Sequence, residues 1–105
     1  MDIRNVSWDT EKAAINRQIH GLSFEAARLV FSDPNRIERI DRSKGNTSGE
    51  ERWQTLGMVD KVLFVVYTER GENPRLISAR IANNAERRSY HGNYQIDGKG
   101  WSKAD

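Results

Sequence analysis

At 105 residues, 36% hydrophobic and 30% charged, the chain has room for one core beneath a heavily charged surface and none for a second domain. It has no cysteine, which excludes disulfides and thiolate metal sites, and no apolar run near the ~20 residues that a membrane span needs. The formal charge of +2 says little about partners. Residues 75–91, however, set Arg75, Arg80, Arg87 and Arg88 against Glu86 alone, a local excess that suits an anionic partner. With no disulfides and no leader-like start, a cytoplasmic protein is expected.

In chain order, Ile3 to Trp8 alternates weakly and is short enough for a first strand at a sheet edge. Asp9 is a good N-cap for the helix that follows, and Glu11 suits its positive end. Ile15, Ile19 and Leu22 form an apolar stripe at i, i+4 and i+7 that is expected to face the sheet. Ala13, Asn16, Arg17 and His20 make a second stripe, which sends Arg17 and His20 to nearly the same side. Gly21 stops the helix. Ser23 caps a second, short helix whose buried face is Phe24, Ala27 and Phe31, and Asp33-Pro34 ends it. The two helices should form a bent hairpin on one face of a sheet.

Residues 35–51 are the least organised. Ile37 and Ile40 are spaced three apart, which fits strand alternation poorly, and Ser43 to Gly49 reads as a mobile polar loop. Residues 52–80 are the organising stretch, a three-stranded antiparallel meander. Its middle run, Val62 to Thr68, is apolar at both parities, as in a central strand covered on both faces. Asp60-Lys61 and Arg70 to Pro74 are its turns. Asn83 and Glu86 have capping-box spacing and begin a third helix, Ala85 to His91, ended by Gly92. The expected class is α+β, a small antiparallel sheet in the order β-α-α-β-β-β-α. One domain over residues 1–92 is followed by a flexible tail, 93–105, in which Trp101 is unusual.

The ordered series Trp8-Asp9 with Lys12, His20-Gly21-Leu22-Ser23-Phe24-Glu25-Ala26, Asp33-Pro34, Glu50-Glu51-Arg52-Trp53, Leu56-Gly57, Tyr67-Thr68-Glu69-Arg70-Gly71, Ile77-Ser78-Ala79-Arg80 and Glu86-Arg87-Arg88-Ser89-Tyr90 resembles the BrnT family of bacterial toxins. That family belongs to the RelE-like group of small ribonucleases. The resemblance covers roughly residues 6–91. It implies an RNA-cleaving toxin that blocks translation and is neutralised by a small BrnA-like antitoxin, with DNA reached only through that antitoxin. The chain departs from the family at Ile19, where a lysine is usual, and at Ile81, Asn83 and Asn84, where a basic run is usual.

Metal-free RNA cleavage needs a base for the 2′-hydroxyl, cations for the phosphate and an acid for the leaving oxygen. No cofactor is implied, and with two histidines and no HExxH-type spacing a metal site is not expected. The candidate catalytic residues are His20, Glu69, Arg70 and Arg80. His20 is the one histidine inside a motif, although a histidine before a helix-ending glycine often only meets the last carbonyls. Glu69 and Arg70 sit where the central strand enters a turn. Arg80 is either a phosphate clamp or a strand-end ion pair, for instance with Glu69. Arg17, Arg87, Arg88 and Tyr90 are candidate RNA contacts, by phosphate pairing and base stacking. The rival reading is a toxin-like module that cleaves nothing, pairs with an antitoxin and supports its DNA binding.

Overall fold

The computed structural model describes residues 3–43 and 49–104. Among these, the elements run β1 (Ser7–Trp8), α1 (Thr10–His20), α2 (Phe24–Ala27), β2 (Ile37–Ile40), β3 (Arg52–Val59), β4 (Lys61–Arg70), β5 (Asn73–Ile81), α3 (Asn84–Tyr90) and β6 (Ser102–Lys103). The strands form one sheet in the order β1-β5-β4-β3-β2-β6. The meander lies at its centre as expected, with Val62 to Thr68 buried throughout. Asp60 takes a positive φ of 65° to turn β3 into β4 in a single residue.

Two features of the expected sheet are corrected. It is mixed rather than antiparallel, because β1 runs parallel to β5. Its order also contains two further strands, β2 and β6. Alternation in β2 is masked in the sequence because Ile37 and Ile40 point to opposite faces: Ile37 lies opposite Leu56, and Ile40 opposite Trp53. The expected mobile loop Ser43–Gly49 falls largely outside the described residues.

One face of the sheet carries Leu63, Val65, Tyr67, Leu76 and Ala79 beneath Phe24, Ala27, Val30 and Phe31, so α2 and the 3-10 turn after it cover this face. Gly57 permits the close approach: a Cβ there would lie 2.7 Å from Val30 Cβ. The first helix docks differently from its expected stripe. Ile15 and Ile19 are 55% and 68% exposed, and the residue turned inward is Asn16. Its side chain accepts from Ala79 N at 3.0 Å and donates to Ala79 O at 2.9 Å, satisfying the outer edge of β5 as a strand would. A polar residue wins the inward position because a sheet edge presents backbone donors and acceptors, which an isoleucine would leave unpaired.

The opposite face carries Ile37, Leu56, Val62, Phe64 and Val66, packed against Ala82 and Trp101 with Tyr90 and Tyr94 alongside. The expected flexible tail is therefore corrected for residues 93–104. β6 pairs with β2, and Trp101 is buried with the Arg39 guanidinium 4.1 Å above its ring. Burying an indole contributes enough to order a glycine-rich segment.

Candidate active site

The helix and tail cover this second face only as far as Val66 and Ile77. Beyond them the strand register builds a polar row: Arg52 lies opposite Thr68, Thr68 opposite Arg75, and Arg75 opposite Ser7. Alternation along β4 adds Arg70 to the same face. With Asp9 and Lys12 at the start of α1, and with Glu50, the residues Arg52, Thr68, Arg70 and Arg75 line a cavity of about 270 Å³. Four cations thus meet two carboxylates. Asp9 is occupied as N-cap, accepting from Glu11 N at 2.8 Å and Lys12 N at 3.2 Å. Glu50 is paired with Arg70 at 3.2 Å, with both side chains exposed. Arg75 donates to Ser7 Oγ at 3.4 Å, and Thr68 Oγ1 donates to Glu51 O at 2.8 Å.

Arg52 Nε is buried with no acceptor among the described residues. Leaving such a donor unpaired costs about 1–3 kcal/mol. The cavity gathers three guanidinium groups and one ammonium, a set of donors that can pair with an anion.

The cavity continues into a groove of about 230 Å³ between α1 and β5, and the two share Lys12 and Ile77. Ile15, Asn16, Ile19, His20 and Ser78 line this second stretch. From Lys12 to His20 is eight residues of helix, about 12 Å. A larger opening of about 590 Å³ lies by β2 and includes Arg39, Arg42 and Lys99. Volume does not make it the better candidate, because Arg39 already donates to Gln54 Oε1 at 2.7 Å and Lys99 O at 2.8 Å while resting on Trp101.

Of the residues expected from the sequence, the structure brings Arg70 into the cavity and His20 into the adjoining groove. Glu69 is exposed and pairs in register with Pro74, and alternation turns it to the face away from Arg70. Arg80 lies opposite Phe64, on the face of Arg70 but six residues away along β4, about 20 Å. Its partner is Glu86 rather than Glu69: Nη1 and Nη2 donate to the two carboxylate oxygens at 2.8 and 2.9 Å, and the guanidinium sits 4.1 Å from the Phe64 ring centroid. Burial pushes the Glu86 carboxyl up, but its bonds from Arg80 and Asn83 N outweigh this and hold it below its ordinary value. Glu86 thereby closes the capping box of α3 and ties that helix to β5.

The remaining expected RNA contacts disperse. Arg17 is exposed and lines neither cavity. Arg87 is turned back onto Ala82 O at 2.9 Å and onto the Asn84 side chain. The Tyr90 hydroxyl donates to Asp33 Oδ2, which also accepts from Met58 N at 2.7 Å. Burial and that carboxylate push the Tyr90 hydroxyl well above its usual range. Arg88 is exposed at the far end of α3, beside Asn93 and Asp97.

Sequence reasoning missed Lys12, Glu50, Arg52 and Arg75 as site residues. All but Arg75 stand in the motif series quoted above, where they look like ordinary surface charges. The strand register that lines them up is what distinguishes them.

A profile described as the ribonuclease toxin, BrnT, of type II toxin–antitoxin systems matches residues 8–86. Among solved structures, the chain is similar to the Brucella abortus ribonuclease toxin BrnT, determined at 1.1 Å, with a TM-score of 0.53 and 23% identity. The match covers 75% of this chain and 96% of that one. No curated protein matches by sequence. The matched span includes Lys12, Glu50, Arg52, Arg70 and Arg75, so the cation cavity lies wholly within the shared region. The chain belongs to the BrnT family of ribonuclease toxins of type II toxin–antitoxin systems.

Proposed function

We propose that this chain is a metal-independent endoribonuclease of RelE-like kind, which cleaves RNA in the cytoplasm, blocks translation, and is held silent by a small BrnA-like antitoxin through which alone it reaches DNA. The observation that carries the reading is the convergence of Lys12, Arg52, Arg70 and Arg75 with Glu50 in one cavity at the uncovered end of the sheet. Arg52, Arg70, Arg75 and Lys12 hold the scissile phosphate and stabilise the charge that grows on its oxygens. Glu50, beside Arg70, removes the proton from the 2′-hydroxyl. That oxygen then attacks phosphorus, the bond to the 5′-oxygen breaks, and the products are a 2′,3′-cyclic phosphate and a 5′-hydroxyl that takes up a proton. The 5′-oxygen takes that proton from solvent at the open cavity, since about 12 Å of helix separates His20 from Lys12. Arg80 has a positioning role, holding α3 through Glu86. Among the described residues no three His, Asp or Glu side chains cluster as metal ligands.

The test is cleavage of a labelled RNA by the purified protein in excess EDTA. Cyclic-phosphate ends, lost in Glu50→Gln, are expected. Cleavage that stops in EDTA and returns with one divalent ion would overturn the mechanism. No cleavage under any condition, with tight antitoxin binding retained, would favour the binding-module reading.

A further inference from the structure

The aliphatic stripe of α1 has no use in the chemistry above. Ile15 and Ile19, one helical turn apart, stand 55% and 68% exposed. With half-buried Ile77 they wall the groove that opens, through Lys12, into the cation cavity. One continuous trough thus has a cationic end and an aliphatic end. RNA has use for the first and none for the second, since a phosphodiester chain gains little from isoleucine. From this two-part surface we infer where the antitoxin docks, an inference that rests on the family's pairing with such a partner. An acidic, aliphatic segment of the antitoxin lies along the α1–β5 trough, its carboxylates among Lys12, Arg52 and Arg75 and its aliphatic side chains against Ile15, Ile19 and Ile77.

The backbone chemistry narrows the form of that segment. Asn16 already uses both the N–H and the C=O of Ala79 on the outer edge of β5, so an added strand finds no ladder there. A helix with aliphatic residues four apart needs no backbone partner and packs on α1 through side chains alone. Charge complementarity sets its orientation: acids toward Lys12, aliphatic residues toward His20. A segment so placed fills the phosphate cavity itself, and inhibition follows from occupancy without any change of fold.

The experiment uses the full chain and the product of the reading frame beside its gene. Titration calorimetry gives the affinity, and RNA cleavage is measured in parallel. Ile15→Gln/Ile19→Gln removes the stripe without burying charge or disturbing the core. It should weaken antitoxin binding by roughly 100-fold while RNA cleavage stays at the parent rate, and Ile15→Leu/Ile19→Leu should bind as the parent does. Unchanged antitoxin affinity in the glutamine variant would overturn the docking site while leaving the ribonuclease reading intact. So would a parent protein that sediments as a dimer, with a monomeric glutamine variant of unaltered antitoxin affinity, since the stripe would then belong to a second copy of this chain. If the neighbouring product does not bind the parent at all, the pairing reading falls together with the site. A glutamine variant that loses both functions and shows a lowered melting temperature would place the stripe in the fold, and would also overturn it.

Discussion

The two ends of one sheet face carry the same residue type to different purposes. At the covered end, Arg80 and Arg39 are enclosed by what they hold: Arg80 by the Glu86 fork and the Phe64 ring, Arg39 by Trp101, Gln54 and the Lys99 carbonyl. At the open end, Arg52, Arg70 and Arg75 surround a cavity, and among the described residues the one carboxylate lining it that is not a helix cap is the exposed Glu50. A guanidinium held on several sides by protein acceptors and rings stabilises the fold, and one that lines a cavity with a single exposed or long contact, as Arg70 has with Glu50 and Arg75 with Ser7, is available to a ligand. Arginine content does not separate the two ends. Partners do.

The largest expected effect that would sharpen this contrast is at the proposed base. Glu50→Gln should lower the saturated cleavage rate by about 100- to 10,000-fold without changing the melting temperature, because Glu50 is an exposed residue outside the core. Single-turnover rates with the protein in saturating excess over RNA check it. A parent-like rate would remove Glu50 from the chemistry.

Next come the packing residues of the covered regions. Gly57→Ala forces a Cβ against the backbone-proximal atoms of Val30 and should cost about 1–3 kcal/mol, read as a lower urea midpoint. Glu86→Gln should cost about 1–3 kcal/mol at neutral pH, since it unpairs a half-buried guanidinium. The pH dependence has a definite sign. The folded carboxyl lies below the ordinary value of 4.5, so its stabilisation is complete above that value and is lost as pH falls through the lower, folded one. The parent and Glu86→Gln should therefore converge in stability as the solution is acidified below about pH 4.5. Melting curves from pH 7 to pH 3 would show it, and a gap that stays constant would contradict the pairing.

The smallest effect is at Arg88, exposed and distant from both cavities. Arg88→Ala should leave the rate intact and at most reduce the salt dependence of RNA binding by about one unit of log–log slope.

Much of the fold was legible in the sequence because its signals are local: the run Val62 to Thr68, the Asp9, Ser23 and Asn83 caps, the Asp60 and Gly71 turns. What stayed hidden depends on long-range pairing. Nothing local reports that Asn16 meets the Ala79 backbone sixty-three positions away, so the isoleucine stripe looked like the buried side of α1. Trp101 was an anomaly in a glycine-rich tail until β2 existed for β6 to pair with. The same holds for the site. Arg70 and His20 stand out by position or type, whereas Arg52 and Arg75 become neighbours only through Thr68, once three strands are in register. Glu69 and Arg80 attracted notice as charges at strand ends, and the register separates both from the cavity.

Arg75 and Arg80 differ in what they hold: Arg75 lines the open cavity, and Arg80 is tied to Glu86. The most direct test is the single-turnover cleavage rate of Arg75→Ala and Arg80→Ala, each measured well below its own melting temperature. Arg75→Ala should melt near the parent and cleave about 100- to 1000-fold more slowly, as expected when one preorganised cationic donor is lost. Arg80→Ala should melt lower yet cleave within a few-fold of the parent rate. The reverse pattern, with a stable but inactive Arg80→Ala and a fully active Arg75→Ala, would put the active centre beneath α3 and contradict the assignment of the open end.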